Sequence, residues 1–151
     1  SDWMHLAIPD ESEIYAEVKT LMPFIDESLV YIARSGEQPI GFVAAIPDYN
    51  QVLIKLKGKL FPLGIYRFLK YRKAIDGARI FIQFVVPGFQ NKGVNGSIFY
   101  RLMLEAGKKG YKWGEGSTVA EFNTEAIRSI QGTGGKRYKT YRIYQKEIEQ
   151  F

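Results

Sequence analysis

The period of the apolar positions changes several times along the chain, and each change marks an element. Behind Pro9 an acidic first turn (Asp10, Glu11, Glu13) precedes Ile14, Tyr15, Val18, Leu21 and Met22 at three- and four-residue intervals. That spacing predicts an amphipathic helix ending at Pro23. Leu29–Ala33 and Ile40–Ile46 are strand-forming runs joined by Ser35-Gly36-Glu37-Gln38, which predicts two adjacent antiparallel strands closed by a glycine-containing hairpin loop. Between Pro47 and Gly77 the period turns helical. Gln51–Leu56 reads as a short helix, Gly58 to Pro62 break it, and Ile65, Phe68, Leu69 and Arg72 recur at i, i+3, i+4, i+7. Ala78–Val86 is a central strand and Val94–Lys109 a long helix ended by Gly110. Tyr111–Ala120 follows as an alternating strand with Trp113, Glu115, Ser117 and Val119 on one face. Asn123 opens a short helix, Thr124–Gln131, broken by Gly132-Thr133-Gly134-Gly135; Lys136–Ile148, with Tyr138, Tyr141, Ile143 and Tyr144, reads as a final strand. The run Met4–Ile8 is too brief to stand as a strand.

The stretch with the most chemistry is Gln83–Ser97, QFVVPGFQNKGVNGS. An apolar strand stops at Pro87, a loop places Gly93 and Gly96 among Asn91, Lys92 and Asn95, and Ile98, Phe99, Leu102 and Ala106 then recur at helical spacing. Backbone amides gathered at a helix N-terminus favour an anion, and phosphate is the obvious guest. A plain strand-to-helix turn also favours Gly and Asn. The loop fits neither GxxxxGK[ST], because no Lys-Ser or Lys-Thr follows a glycine, nor GxGxxG.

These residues resemble the GNAT superfamily of acyl-CoA N-acyltransferases, whose signature is a strand ending V-x-P followed by Q/R-x-x-G-x-G/A. Here it reads Val85-Val86-Pro87, then Gln90-Asn91-Lys92-Gly93-Val94-Asn95. Asn95 stands where Gly or Ala is expected, and Gly96 comes one residue late. A second element, Asn123-x-x-Ala126-Ile127, resembles the family's N-x-x-A after its fifth strand. The resemblance implies an α/β (α+β) GNAT-like fold: a central mixed, mostly antiparallel sheet flanked by helices, its first strand missing or vestigial. Residues 1–151 would then form one domain, with a basic helical insertion at about 50–76.

The resemblance also implies acetyl-CoA or acyl-CoA as co-substrate and an amine, small-molecule or peptide, as acceptor. The pyrophosphate would lie at the amides of Gln90, Asn91, Lys92, Gly93, Val94, Asn95, Gly96 and Ser97, and the pantetheine arm along Gln83 to Val85, with Asn123 near both. Asn123 also reads as an ordinary helix N-cap. The amine attacks the thioester directly, so a base, an acid and an oxyanion donor are wanted. Glu115 is the candidate base; a solvated carboxylate or a partner for the many lysines is the competing reading. Ile130 stands where the family often has the tyrosine that protonates the leaving thiolate, which leaves Tyr144 or Tyr141 as the candidate acid or as packing residues.

Composition narrows the classes. At 151 residues, 46% hydrophobic and 25% charged, the chain is one ordinary globular domain, with no apolar run of transmembrane length. No cysteine and a single His5 argue against disulfides and metal chemistry. The net charge of +5 favours an anionic partner: a nucleic acid, a membrane surface or a phosphorylated small molecule. Lys55, Lys57, Lys59, Arg67, Lys70, Arg72 and Lys73 concentrate charge in the insertion, as a solvated helical face, a basic lid or a nucleic-acid patch. Lys136-Arg137-Tyr138-Lys139-Thr140-Tyr141-Arg142 interleaves cations and rings, the pattern of a nucleic-acid module, though no RNA-binding motif accompanies it and that partner is disfavoured. A degenerate, CoA-binding or partner-binding domain is the other rival. A chain opening at Ser1 without an initiator Met and without a signal-peptide pattern reads as a cytoplasmic fragment. Phe42–Gln51 and Tyr141–Tyr144 are similar to the C-terminal part of larger bacterial proteins with two acyltransferase-like halves, which implies that residues upstream of Ser1 could supply the first strand; an upstream domain of the same polypeptide and a homodimer are the two partner arrangements left open.

Overall fold

The structure is a computed structural model that describes residues 10–59, 63–116, 118–144 and 146. The Met4–Ile8 run, His5 and Ser117 lie outside those residues. In chain order the elements are α1 (Glu11–Leu21), β1 (Val30–Ser35), β2 (Gln38–Pro47), α2 (Asn50–Leu56), α3 (Gly64–Arg72), β3 (Gly77–Val85), α4 (Val94–Lys108), β4 (Trp113–Gly116) and α5 (Thr124–Gly132). The sheet order is β1-β2-β3-β4. β1/β2 and β2/β3 are antiparallel, and β3/β4 is parallel, because fifteen-residue α4 carries the chain back between them. This is the mixed, mostly antiparallel sheet flanked by helices that the motif implied.

The core lies between α4 and one face of the sheet. Ile98, Phe99 and Leu102, at helical spacing, pack on Val43, Ala45 and Ala78 and on Leu29 from the turn before β1. Leu29 and Val43 are wholly buried, so truncating Leu29 to Ala would cost about 2–5 kcal/mol. Gly41 lets the helix come this close: a Cβ there would sit 2.9 Å from Ile98 Cδ1 and 3.0 Å from Val94 Cγ1. α1 is held by a capping box of Asp10 and Glu13, yet none of its residues is buried, and its apolar stripe of Ile14 and Val18 stays about half exposed.

Two departures from the predicted strands shape the site. Pairing of β3 with β4 runs only from Gly77/Trp113 to Ile80/Gly116, so the strand expected over Tyr111–Ala120 is four residues long. The cause is upstream. Between Ala45, opposite Ile80, and Ala44, opposite Ile82, β3 carries one unpartnered residue, Phe81, and such a bulge bends the strand that holds it. Beyond the bulge β3 follows β2 and leaves β4 behind. The second departure is the final strand: described residues from Lys136 to Tyr144 form no regular element. Tyrosine's strand preference comes from packing against cross-strand neighbours, and β4, at the sheet edge, offers a ladder too short to supply them.

Candidate functional site

Where β3 parts from β4, no strand among the described residues pairs with its edge, which is open in that sense. Val86 N–H donates to Ile40 O at 3.0 Å, and paired residues alternate in an antiparallel ladder. Val86 and Phe84 therefore direct their backbone groups at β2, while Gln83 and Val85 direct theirs at the open edge. One of these groups has a partner, since Gln90 Nε2 donates to Val85 O at 3.2 Å.

The edge leads into the glycine loop. A single 3-10 turn, Pro87–Phe89, stops β3; Asn91 (φ 58) and Gly93 (φ 81) then take left-handed conformations, which Asn tolerates and Gly adopts without strain. Gly93 is the N-cap of α4, and no side chain caps that helix. The first hydrogen bond back to it comes from Ser97 N–H, 3.0 Å from Gly93 O, and Ser97 Oγ donates to the same oxygen at 3.1 Å. The earlier amides of the turn, with the positive end of the helix dipole, face outward. A Cβ on Gly93 or Gly96 would meet no atom of the described residues within 4 Å.

A cavity of about 280 Å³ lies in front of this turn, lined by Val85, Phe89, Gln90, Asn91, Gly93 and Asn95 from the strand and loop and by Glu125, Arg128 and Ser129 from α5. Gln83 Nε2 donates to Asn95 Oδ1 at 2.7 Å, and Asn91 Nδ2 to Glu125 Oε1 at 3.3 Å. Lys92 Nζ sits 5.4 Å over the Phe89 ring. Asn123 Oδ1 accepts from Ala126 N–H at 3.2 Å, so Asn123 is the N-cap of α5. Arg128 escaped the reading of the sequence. It makes no ion pair among the described residues, and its i, i+3, i+4 relation to Glu125 and Ser129 was the available signal that these three share a helix face. Glu125 opposes an anion here; Arg128 and the helix dipole favour one.

Glu115 is on β4, one residue before the splay and opposite Arg79. Its Oε2 lies 2.7 Å from Arg79 Nη2, and Arg79 Nε lies 2.8 Å from Oδ1 of buried Asp48. The same Asp48 oxygen takes Asn50 Nδ2 at 3.0 Å. The Glu115 carboxylate is the chief cause of the raised pKa of the Tyr138 phenol. Tyr138 thus reaches the network, whereas Tyr141 and Tyr144 are exposed and line neither cavity. Ile130 packs on Gly116, 3.2 Å from its would-be Cβ, and against the core. Among the described residues no group of His, Asp and Glu is arranged to hold a metal ion.

A larger cavity, about 420 Å³, lies by the start of β3 and is lined by Asp26, Tyr49, Arg72, Lys109 and Tyr111 among others. Asp26 accepts from Lys109 Nζ at 2.9 Å, Tyr111 Oη at 3.1 Å and Ser28 Oγ at 2.7 Å. Partial burial pushes its pKa up, but these donors outweigh it and hold it at about 2. Burial first, and then the Asp26 charge, push Tyr111 far above the usual phenol range.

No family model matches the chain. Over 146 residues it is 32% identical to "Bacterial ceramide synthase" of Caulobacter vibrioides (strain NA1000 / CB15N), covering 91% of this chain and 38% of that protein. It is 29% identical over 140 residues to "Protein YghO" of Escherichia coli (strain K12), covering 87% and 35%. The chain thus spans little more than a third of the length of these curated relatives. Among solved structures it is similar to the aminoglycoside N-acetyltransferase AAC(6')-Iy in complex with a bisubstrate analogue (TM-score 0.61, 18% identity, 95% of this chain and 84% of that one). It is also similar to AAC(6')-IG from Acinetobacter haemolyticus (TM-score 0.56, 15% identity, 95% and 86%). The chain has the fold of these N-acetyltransferases, the GNAT fold that Val85-Val86-Pro87 and the glycine loop resembled.

Proposed function

We propose that this domain transfers an acyl group from acyl-CoA to an amine by direct attack. The observation that carries the reading is continuity. The open backbone edge at Gln83 and Val85 runs straight into an uncapped helix N-terminus with clear space over Gly93 and Gly96. An extended amide-bearing arm suits the edge, and a pyrophosphate suits the helix end. The solved neighbours support the co-substrate, since one of them is an N-acetyltransferase in complex with CoA.

In this reading Gln90 to Ser97 hold the phosphates, Arg128 adds a positive charge, and the Val85 N–H faces the developing oxyanion. Acyl-CoA supplies the thioester carbonyl. The amine nitrogen bonds to that carbon, the carbon–sulfur bond breaks with CoA leaving as its thiolate to take a proton from water, and the proton lost from nitrogen passes to Glu115 directly or through water. Glu115 accepts it by giving up its contact with Arg79. The name of the Caulobacter relative supports a long-chain amine as acceptor, ceramide being an N-acylated long-chain amino alcohol. The exposed face of the sheet, with Ile32, Ile82 and Phe84, suits an apolar substrate better than a sugar.

A second reading is a domain that binds acyl-CoA without turning it over. Ile130, packed where the family places a phenol, and the exposure of Tyr141 and Tyr144 favour it. Calorimetry with acetyl-CoA, followed by single-turnover acylation of long-chain amines, tests both. Absence of CoA binding sinks both readings; binding without transfer leaves the second. A short oligonucleotide bound in place of CoA would revive the nucleic-acid alternative.

A further inference from the structure

We propose that the α2–α3 hairpin is a docking surface for anionic phospholipid membranes. From Tyr49 to Ile75 the chain carries seven Lys and Arg residues and no Asp or Glu. All seven are exposed, and none makes an ion pair among the described residues. The closest thing to a partner is the Tyr71 ring, 5.5 Å from Lys55 Nζ. Such a field of one sign asks for an anionic surface.

The outward faces are also apolar. In α2 the buried residues are Val52 and Leu56; Ile54, two residues from each, therefore points directly away from the domain and is 75% exposed. In α3 the inward positions are Gly64, Phe68 and Tyr71, so Tyr66, Leu69, Lys70 and Lys73, at i, i+3, i+4 and i+7, form the outward stripe. Leu63 and Ile65 are half exposed or more beside them. Aliphatic tips interleaved with cations suit the headgroup and acyl boundary of a bilayer, where the tips leave water and the cations meet lipid phosphates.

The competing occupants fit less well. A nucleic-acid groove uses rings and cations along a backbone track and gains nothing from Ile54 or Leu69. A two-fold dimer through this face would set its cations against the same cations of the second copy. Phe24 meets Tyr49 edge to face and Tyr49 stacks on Phe68, both at 5.7 Å between centroids, which fixes the hairpin to the domain. The hairpin is rooted at Pro47 and Gly77, where Asp48 N–H donates to Gly77 O at 2.8 Å. The Gly93 loop follows the other end of β3, so a bilayer under the hairpin leaves the phosphate-binding end in water. The proposal stands on charge and exposure and does not depend on acyl transfer.

The test is flotation of the full chain with phosphatidylcholine vesicles, with and without phosphatidylglycerol, across a salt series. Binding is expected only with phosphatidylglycerol and should weaken as salt rises. Lys70→Glu/Lys73→Glu should lower partitioning at least about tenfold. Ile54→Ser/Leu69→Ser should lower it several-fold at constant charge, with circular dichroism and CoA affinity unchanged in both variants. Absence of wild-type binding to anionic vesicles overturns the proposal, as does equal binding to neutral ones; both outcomes are read without a variant. A dimer dissolved by Ile54→Ser/Leu69→Ser assigns the face to a second copy instead. Oligonucleotide binding tighter than vesicle binding and indifferent to that variant assigns it to nucleic acid. Failure to bind CoA leaves this result standing and removes only the acyl-transfer reading.

Discussion

Substituting Gly93 separates occupancy of the proposed phosphate site from distortion of its loop. Gly93 sits at φ 81, ψ 0, where an L side chain costs roughly 1–2 kcal/mol, less for Asn and more for a β-branched residue. Its Cβ direction is clear to 4 Å, so this backbone term is the whole folding penalty and no clash adds to it. For a chain of this size about 1 kcal/mol lowers Tm by about 2–4 °C. Stability should therefore fall in the order Gly, Asn, Ala, Val. Affinity should follow a different order, because what matters at the ligand is how far the side chain reaches into the cleared space. Ala should weaken CoA by a few-fold, and Asn and Val by about tenfold or more, which corresponds to about 1.4 kcal/mol. Thermal melts and calorimetric titration with CoA on the same samples give the two orders. If affinity tracks Tm, with Gly93→Asn binding better than Gly93→Ala, the loop is merely bent and the pyrophosphate is not over Gly93. Wild-type affinity in a folded Gly93→Val would remove the site from this loop altogether.

Four further outcomes are expected. Asn123→Ala should cost about 1 kcal/mol of stability through the lost cap, whereas Asn123→Asp keeps the cap; if Asn123 also contacts the cofactor, Asp weakens CoA several-fold in titrations at unchanged Tm. Glu115→Gln should lower the rate of amine acylation at least about 100-fold with CoA affinity unchanged, and a rate within a few-fold of wild type would make Glu115 only the partner of Arg79. Tyr141→Phe/Tyr144→Phe should retain turnover within about twofold, both rings being exposed, and a large loss would place the C-terminal segment in the reaction. Asp26 has a folded pKa of about 2 against an ordinary 3.8; a depressed carboxylate stabilises the fold above its unfolded pKa and ceases to do so as pH falls toward its folded one. Its contribution, on the order of 1–2 kcal/mol after screening at a partly exposed site, should vanish between about pH 4 and pH 2. Asp26→Asn should flatten that limb of a pH–Tm curve.

The helices and the first three strands were legible because local spacing decides them. Ile98, Phe99 and Leu102 recur at helical period whatever they pack on, and the turn at Gly36 (φ 60) announces its hairpin. What spacing does not carry is the partner. Nothing in Ala78–Val86 reveals that Phe81 will lack a neighbour on β2, since a bulge is a property of two strands in register. The short β4 and the open edge of β3 were therefore hidden until both strands were placed. The tyrosines after Gly135 failed for the same reason: their strand preference is real, but it needs a ladder that four-residue β4 does not extend. In the site, Gly93 and Asn91 could be read from their backbone requirements, which belong to single residues. Arg128 could not, because its value depends on α5 lying across the cavity from the loop. The amphipathic stripe of α1 was equally readable, yet its burial was not: a stripe states what a helix can cover, and Ile14 and Val18 remain half exposed.

The departures from the motif at Asn95 and Gly96 bear on whether the loop serves a ligand. A side chain at Asn95, where the family has Gly or Ala, would be expected to crowd the amides of the first turn. Instead Asn95 is bound sideways by Gln83 at 2.7 Å, which ties the start of α4 to the strand whose edge is open and keeps the amide off the helix end. Gly96 poses the opposite question. It occupies the third position of α4, and a Cβ there would meet nothing beyond its own helix within 4 Å, so no packing demands glycine. Glycine within a helix costs about 1 kcal/mol relative to alanine. Gly93 likewise faces open space. Gly93 already requires glycine for its φ of 81, whereas Gly96 makes room for no described atom and costs its own helix, and in the proposed reading that room serves a ligand close to the backbone there. An extended anion laid over the amides of Gly93 to Gly96 is such a group, and the tether from Asn95 to Gln83 would hold that surface and the open edge of β3 in fixed relation for a single ligand to span.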